Sequence, residues 1–174
     1  MGTNSANVLK GTGVRDDIYG RAGKDVVIGF AGPDYLYGEA GDDVLLGESG
    51  RDRLWGGGRD DTLSGGSGAD RIAAGWGADI VDAGSGNDIV HAGENDESMD
   101  SIDCGAGFDR VYVNRGDRVF NCEAITRLRG RVVSGTVRMG TTGRDEFNEV
   151  EWIGKDLIFG LAGSPAACAV AGAI

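Results

Sequence analysis

GEAGDDVLLGESGRDRL (residues 38–54) states one nine-residue phrase twice. Gly38, Gly41, Asp43 and Leu45 hold the first, fourth, sixth and eighth places of one copy, and Gly47, Gly50, Asp52 and Leu54 repeat them nine residues on. The same frame runs without slip from residue 2 to residue 91, from GTNSANVLK to AGSGNDIVH. An interrupted block of twelve, AGENDESMDSID (92–103), and a regular one, CGAGFDRVY (104–112), follow. Across these twelve blocks, with the long one counted back from its end so that Asp100 and Ile102 take these places, the sixth place is Asp eleven times and Asn once, at Asn7, and the eighth is always Leu, Ile or Val. An acid and an aliphatic held in register that long define a repeat architecture, which must be settled before any other pattern is read.

A period of nine fits neither a helix nor a long strand. Glycine permits the positive φ angles and close approaches of a tight turn. Places seven to nine are rich in Val, Ile, Leu and Tyr, which suits a very short strand. Side chains alternate along a strand, so the eighth place faces inward and the seventh and ninth face out. Turn, strand, turn and strand make one coil of eighteen residues, and coils stack as parallel strands about 4.8 Å apart. Six such coils give a flattened rod roughly 30 Å long. Carboxylates eighteen apart then lie above one another. Asp16, Asp34, Asp52, Asp70 and Asp88 form one edge column and Asp25, Asp43, Asp61 and Asp79 the other, and Asp100 and Asp109 resume the two edges after the insertion.

Such a rod has a thin core, one aliphatic per nine residues, against the entropy of ordering the whole repeat. Its like charges also stack a few ångströms apart, which is unfavourable without counterions. The net charge of −11 points to cations as partners and disfavours nucleic acid. Calcium takes six to eight oxygens from carboxylates and carbonyls, whereas magnesium demands tight octahedral geometry. Zinc and copper want nitrogen or sulfur, and one His and three Cys in scattered places do not supply a set.

The blocks resemble the RTX (haemolysin-type) calcium-binding nonapeptide, G-G-x-G-x-D-x-U-x with U a large aliphatic, and GGSGADRIA (65–73) matches it at every fixed place. The resemblance implies a bacterial protein folded as a parallel β-roll, with Ca²⁺ held between turns by the sixth-place aspartate and backbone carbonyls. It implies ligand roles for Asp16, Asp25, Asp34, Asp43, Asp52, Asp61, Asp70, Asp79, Asp88 and Asp109. The chain departs from the pattern at Ser5, Asn7, Val14 and Arg59, where a glycine or the carboxylate is lost and nearby sites are expected to be weak or empty. The alternative is a solenoid whose acids are merely solvated.

The expected protein is all-β: a parallel β-roll (β-solenoid) of nine-residue repeats, two per coil, over 2–112, with a C-terminal capping segment over 113–125. A basic linker or extra strands (126–139), a partial second repeat block (140–163) and an irregular tail (164–174) follow. ENDES (94–98) reads as a surface loop or a separate acidic site. VYV and RVF read as short strands around the turn NRGD, and Cys104 and Cys122 flank this closing segment and fit a disulfide. Arg115-Gly116-Asp117 matches an adhesion tripeptide, but matches of three residues are common by chance. Asp145 and Asp156 are candidate further ligands in the second block, where Pro165 then stands in place of the next aspartate.

Tyr19, Tyr37 and Trp55 fall at the ninth place eighteen residues apart, with Tyr35 beside them. They stiffen the sheet as cross-strand ladders or form a contact face for a polysaccharide, a protein or another copy. No HExxH, GxSxG or P-loop is present, and His91 is the sole histidine, at an outward place, so no catalysis is expected. No apolar run reaches a membrane-spanning length. The opening MGTNSANVLKGTG shows no signal peptide. The functional expectation is a secreted, extracellular calcium-binding module that folds on Ca²⁺ and serves a structural or interaction role. A detached module of a larger RTX protease or lipase and an adhesin rod are the alternatives.

Overall fold

The computed structural model describes residues 1–92, 98–129, 150–153 and 156–159. Within them the nine-residue phrase becomes a turn and a short strand, and successive strands alternate between two facing sheets. The first sheet has seven strands: β1 (Val8–Lys10), β3 (Val26–Ile28), β5 (Val44–Leu46), β7 (Thr62–Ser67), β9 (Ile80–Ser85), β11 (Ser101–Asp103) and β13 (Arg118–Phe120). The second carries β2 (Asp17–Ala22), β4 (Tyr35–Ala40), β6 (Arg53–Gly58), β8 (Arg71–Trp76), β10 (Ile89–Ala92), β12 (Arg110–Val113) and β14 (Ala124–Arg129) in the same order. Two more strands, β15 (Val150–Ile153) and β16 (Asp156–Phe159), extend its C-terminal edge.

Pairing within both stacks from β1 to β14 is parallel and in register with the eighteen-residue coil. Val8 stands beside Val26, Leu36 beside Leu54 and Leu45 beside Leu63. This is a parallel β-roll. The eighth-place residues line its interior: Val27, Leu36, Leu45, Leu54, Leu63, Ile72, Val81, Val90, Ile102 and Val111 are all buried. Alternation explains this directly, since only the middle residue of a three-residue strand points between the sheets. Leu9 closes the N-terminal end and is only partly buried.

Residues 113–126 add a shortened coil beyond the six formed by the nonapeptides. β13 lies parallel on β11 and β14 parallel on β12, with the turn at Asn114–Asp117 between β12 and β13. Cys104 and Cys122 form a disulfide with Cα atoms 5.1 Å apart, tying this last coil to the one below it. Farther on, β15 pairs parallel with β14, and β16 turns back antiparallel on β15. The ENDES segment at 94–97, Asp145 and the tail at 164–174 lie outside the described residues, as does most of the basic stretch at 126–139.

The coils touch backbone to backbone at the fourth place. Gly68 has φ +137°, and a Cβ built on it would fall 1.4 Å from the carbonyl oxygen of Gly50 in the preceding coil. Glycine is required here for contact as well as for conformation. Arg59, one of the fourth-place residues that lack the motif's glycine, still adopts the left-handed region at φ +86°.

Candidate metal centre

Each sixth-place aspartate stands immediately before a strand, at the mouth of its turn. The eighteen-residue period therefore stacks these acids in two columns, one leading into each sheet. Backbone hydrogen bonds fix one oxygen of every rung. The Asp25 N–H donates to Asp43 Oδ1 at 2.7 Å, Asp43 to Asp61 at 2.8 Å and Asp61 to Asp79 at 2.8 Å. In the other column Asp16 donates to Asp34, Asp34 to Asp52, Asp52 to Asp70 and Asp70 to Asp88, each at 2.8 Å. The three-residue insertion leaves both columns intact, because Asp79 donates to Asp100 and Asp88 to Asp109, again at 2.8 Å.

The second oxygen is different. Oδ2 of Asp25, Asp34, Asp43, Asp52, Asp61, Asp70, Asp88 and Asp109 is buried and accepts no hydrogen bond. Buried carboxylate oxygens without a partner are costly, so a column of them needs a physical account. In Asp25, Asp34, Asp43, Asp52, Asp61 and Asp70 this oxygen faces the first-place glycine of its own turn, whereas the turns of Asp88 and Asp109 begin with Ala83 and Cys104. A Cβ built on Gly38 would lie 2.6 Å from Asp43 Oδ2 and 2.5 Å from the carbonyl oxygen of Gly56 in the next coil. On Gly47 it would lie 2.7 Å from Asp52 Oδ2 and 2.6 Å from the Gly65 carbonyl. The absent side chain leaves a cradle lined by one carboxylate and one carbonyl oxygen. Among the described residues no three acids, histidines or cysteines converge, so carbonyl oxygens must complete any cation's shell. Orphaned carboxylate oxygens beside backbone carbonyl oxygens suit a hard dication such as calcium.

The electrostatics agree. Burial, the largest cause, raises the Asp61 and Asp70 carboxyls to about 7 and those of Asp52 and Asp88 to about 6. The N–H donated by the neighbouring rung works against the rise, and the like charges of adjacent rungs add to it. Asp34, Asp43 and Asp109, nearer the ends, shift upward for the same reason. The middle of the roll is where a counter-charge is needed most.

The ends of both columns are closed by side chains. At the N-terminus, Asn7 Oδ1 accepts from the Thr3 N–H at 2.6 Å. Asp16 Oδ2 accepts from Thr12 N–H at 2.6 Å and Thr12 Oγ1 at 2.9 Å. Asp16 is thus brought onto its column, but its second oxygen is already used. At the other end, Asp117 Oδ1 accepts from the Asp100 N–H at 3.1 Å and its Oδ2 from Asn114 N–H. Glu123 Oε2 accepts from the Asp109 N–H at 2.9 Å.

The ten candidate aspartates therefore all fall on the two columns. Three further acids, Asp100, Asp117 and Glu123, hold rungs that the ligand assignment did not include. Their signal is present in the sequence. Each is followed by any residue and then an aliphatic, as in Asp100-Ser101-Ile102, Asp117-Arg118-Val119 and Glu123-Ala124-Ile125. Spacings of 17 and 14 residues to the preceding rung break the period and hide Asp117 and Glu123. Asp117 is only 5% exposed, which withdraws it from the surface role that the Arg-Gly-Asp tripeptide suggests.

A parallel roll with stacked, half-satisfied aspartates at glycine turns is the architecture of a calcium-binding repeat. The model of the RTX calcium-binding nonapeptide repeat (4 copies) matches residues 1–29, 31–54 and 55–90, more than half of the chain, and the chain belongs to that family. A search of curated proteins found no match. The protein is thus a calcium-binding RTX repeat module with a structural or binding role, and the repeat domains of this family are not catalytic. Among the described residues no helix is long and apolar enough to cross a membrane.

Proposed function

We propose that this chain is a secreted module whose roll becomes stable as several calcium ions bind between successive coils. The observation that carries this reading is the column of buried Oδ2 atoms without partners. Asp25, Asp34, Asp43, Asp52, Asp61, Asp70, Asp79, Asp88 and Asp109 would supply the carboxylates, with Asp16 the weakest candidate because Thr12 already holds its Oδ2. Bound calcium would supply positive charge to oxygens that the fold leaves unneutralised. Because the ions bind only the folded roll, each adds to its stability. Residues 113–125, tied by Cys104–Cys122, would close the C-terminal end and shield an edge open to further stacking.

The disulfide supports an oxidising compartment, and extracellular modules bind calcium at roughly 0.1–1 mM. The face bearing Tyr19, Tyr35, Tyr37 and Trp55 is the proposed contact surface for a polysaccharide or protein partner. Its flanking cations support this, since the Arg15 guanidinium lies 4.3 Å and that of Arg53 5.0 Å from the Tyr35 ring centroid.

Circular dichroism of the full chain in chelator, then in millimolar calcium, tests the metal reading. β signal is expected only with calcium. A full β spectrum in chelator would sink the linkage, and an equal gain with magnesium would sink the selectivity.

A further inference from the structure

The ninth-place residues of the second sheet form one column across β2, β4, β6, β8, β10 and β12: Tyr19, Tyr37, Trp55, Ala73, His91 and Tyr112. The rings stack in parallel. Tyr19 and Tyr37 lie 4.6 Å apart at 1°, Tyr37 and Trp55 4.5 Å apart at 3°, and His91 and Tyr112 4.5 Å apart at 5°. Rings spaced like this cover one another's faces and present only their edges outward.

Ala73 breaks the column. Its register partners are Trp55 on one side and His91 on the other, so two strand spacings, about 9–10 Å, separate those two rings. The neighbouring pairs show that one ring occupies one spacing. The gap above Ala73 is therefore one planar ring wide, bounded by the faces of Trp55 and His91. Ala73 is half-buried and His91 exposed, so the gap is reached from solvent.

The seventh place of the same strand holds Arg71, between Arg53 of β6 and Ile89 of β10. Arg71 is exposed, and the one ion pair among the described residues joins Arg15 to Asp17. Its guanidinium is thus available to an anion beside the gap. On a chain of net charge −11 this is a local reversal of sign.

We propose that the gap above Ala73 is a binding slot for a small aromatic carboxylate, whose ring continues the stack between Trp55 and His91 while its carboxylate pairs with Arg71. Offset stacking supplies the ring's affinity and a forked guanidinium suits a carboxylate. The proposal requires the folded roll but not any particular set of metal ligands.

The test is calorimetric titration of the full, calcium-loaded chain with 2-naphthoate, with 2-naphthamide as the uncharged comparison. Saturable binding of one 2-naphthoate per chain is expected. Ala73→Tyr fills the slot with the chain's own ring and should weaken binding at least about tenfold while leaving the calcium-dependent dichroism unchanged. Trp55→Leu, which keeps the gap but removes one wall, should weaken it as well and serves if Ala73→Tyr does not fold. Arg71→Ala should weaken 2-naphthoate several-fold and leave 2-naphthamide as it was. No saturable binding at millimolar 2-naphthoate, or undiminished binding by folded Ala73→Tyr or Trp55→Leu, overturns the slot. Equal loss of both ligands in Arg71→Ala overturns the carboxylate pairing.

Discussion

Replacing Gly68 by alanine should weaken the whole roll, calcium response included. The new methyl carbon would lie 1.4 Å from the Gly50 carbonyl oxygen, about 2 Å short of van der Waals contact. Gly68 also sits at φ +137°, where an L residue costs about 1–3 kcal/mol. Relieving the clash means separating two coils at a point where Gly50 N–H donates to the Ser67 carbonyl at 2.8 Å and Ser67 N–H to the Glu48 carbonyl at 2.7 Å. Two weakened backbone bonds add about 2 kcal/mol, so the total is about 3–5 kcal/mol. On the proposed coupling of folding to several ions, this loss divides among them and should raise the calcium midpoint about three- to fivefold. A calcium titration followed by circular dichroism reads that shift, and urea unfolding in saturating calcium reads the free energy. Gly58→Ala is the control, since nothing lies within 4 Å of its added methyl. If Gly68→Ala titrates and unfolds like the parent, the coils are not in backbone contact at the fourth place, and glycine there is not a packing requirement.

Acidity should act oppositely on the calcium-free and calcium-loaded chains. The carboxyls of Asp52, Asp61, Asp70 and Asp88 are raised to about 6–7, so their contribution is fully present below the unfolded value near 3.8 and is lost as pH rises through 6 to 7. Calcium-free protein should therefore show more β signal at pH 5 than at pH 8, and a reversed order counts against burial as the cause. With calcium present, the midpoint should rise as pH falls, because protons compete for the same oxygens. Reducing Cys104–Cys122, which spans 18 residues, should lower the stability of the calcium-loaded form by about 3 kcal/mol, measured by urea unfolding with and without reductant. Glu48→Gly, which relieves a side-chain-bearing residue at φ +72°, should raise stability by about 0.5–1 kcal/mol in the same assay.

Leu45 and Leu54 show how far the repeat can be read without coordinates. Their places in the phrase assign them to opposite sheets and to the interior, and both are fully buried there. Asp43 and Asp52 are likewise assigned to different columns, each bonded to rungs eighteen residues away, at Asp61 and at Asp70. The same spacing brings Tyr19, Tyr37 and Trp55 into one stack. Asp117 and Glu123 escaped because shortened turns shift the count while leaving the stacking unchanged. A period detects equal chain length between rungs, whereas the sheet enforces only equal height.

The sequence by itself determined the nine-residue turn-and-strand unit, the inward aliphatics, the two acid columns and the family, because all of these follow from a side-chain pattern repeated in register. Tertiary structure decided which oxygen of Asp25, Asp34, Asp43, Asp52, Asp61, Asp70, Asp88 and Asp109 is held by the neighbouring coil's N–H and which has no hydrogen-bond partner. It decided that threonines close the first rungs and that Asp117 and Glu123 close the last, and it turned Ala73 from one more small residue into a gap between two rings. These depend on how one coil sits on the next, a distance of a few ångströms between residues about eighteen apart, and no local pattern in the chain records it.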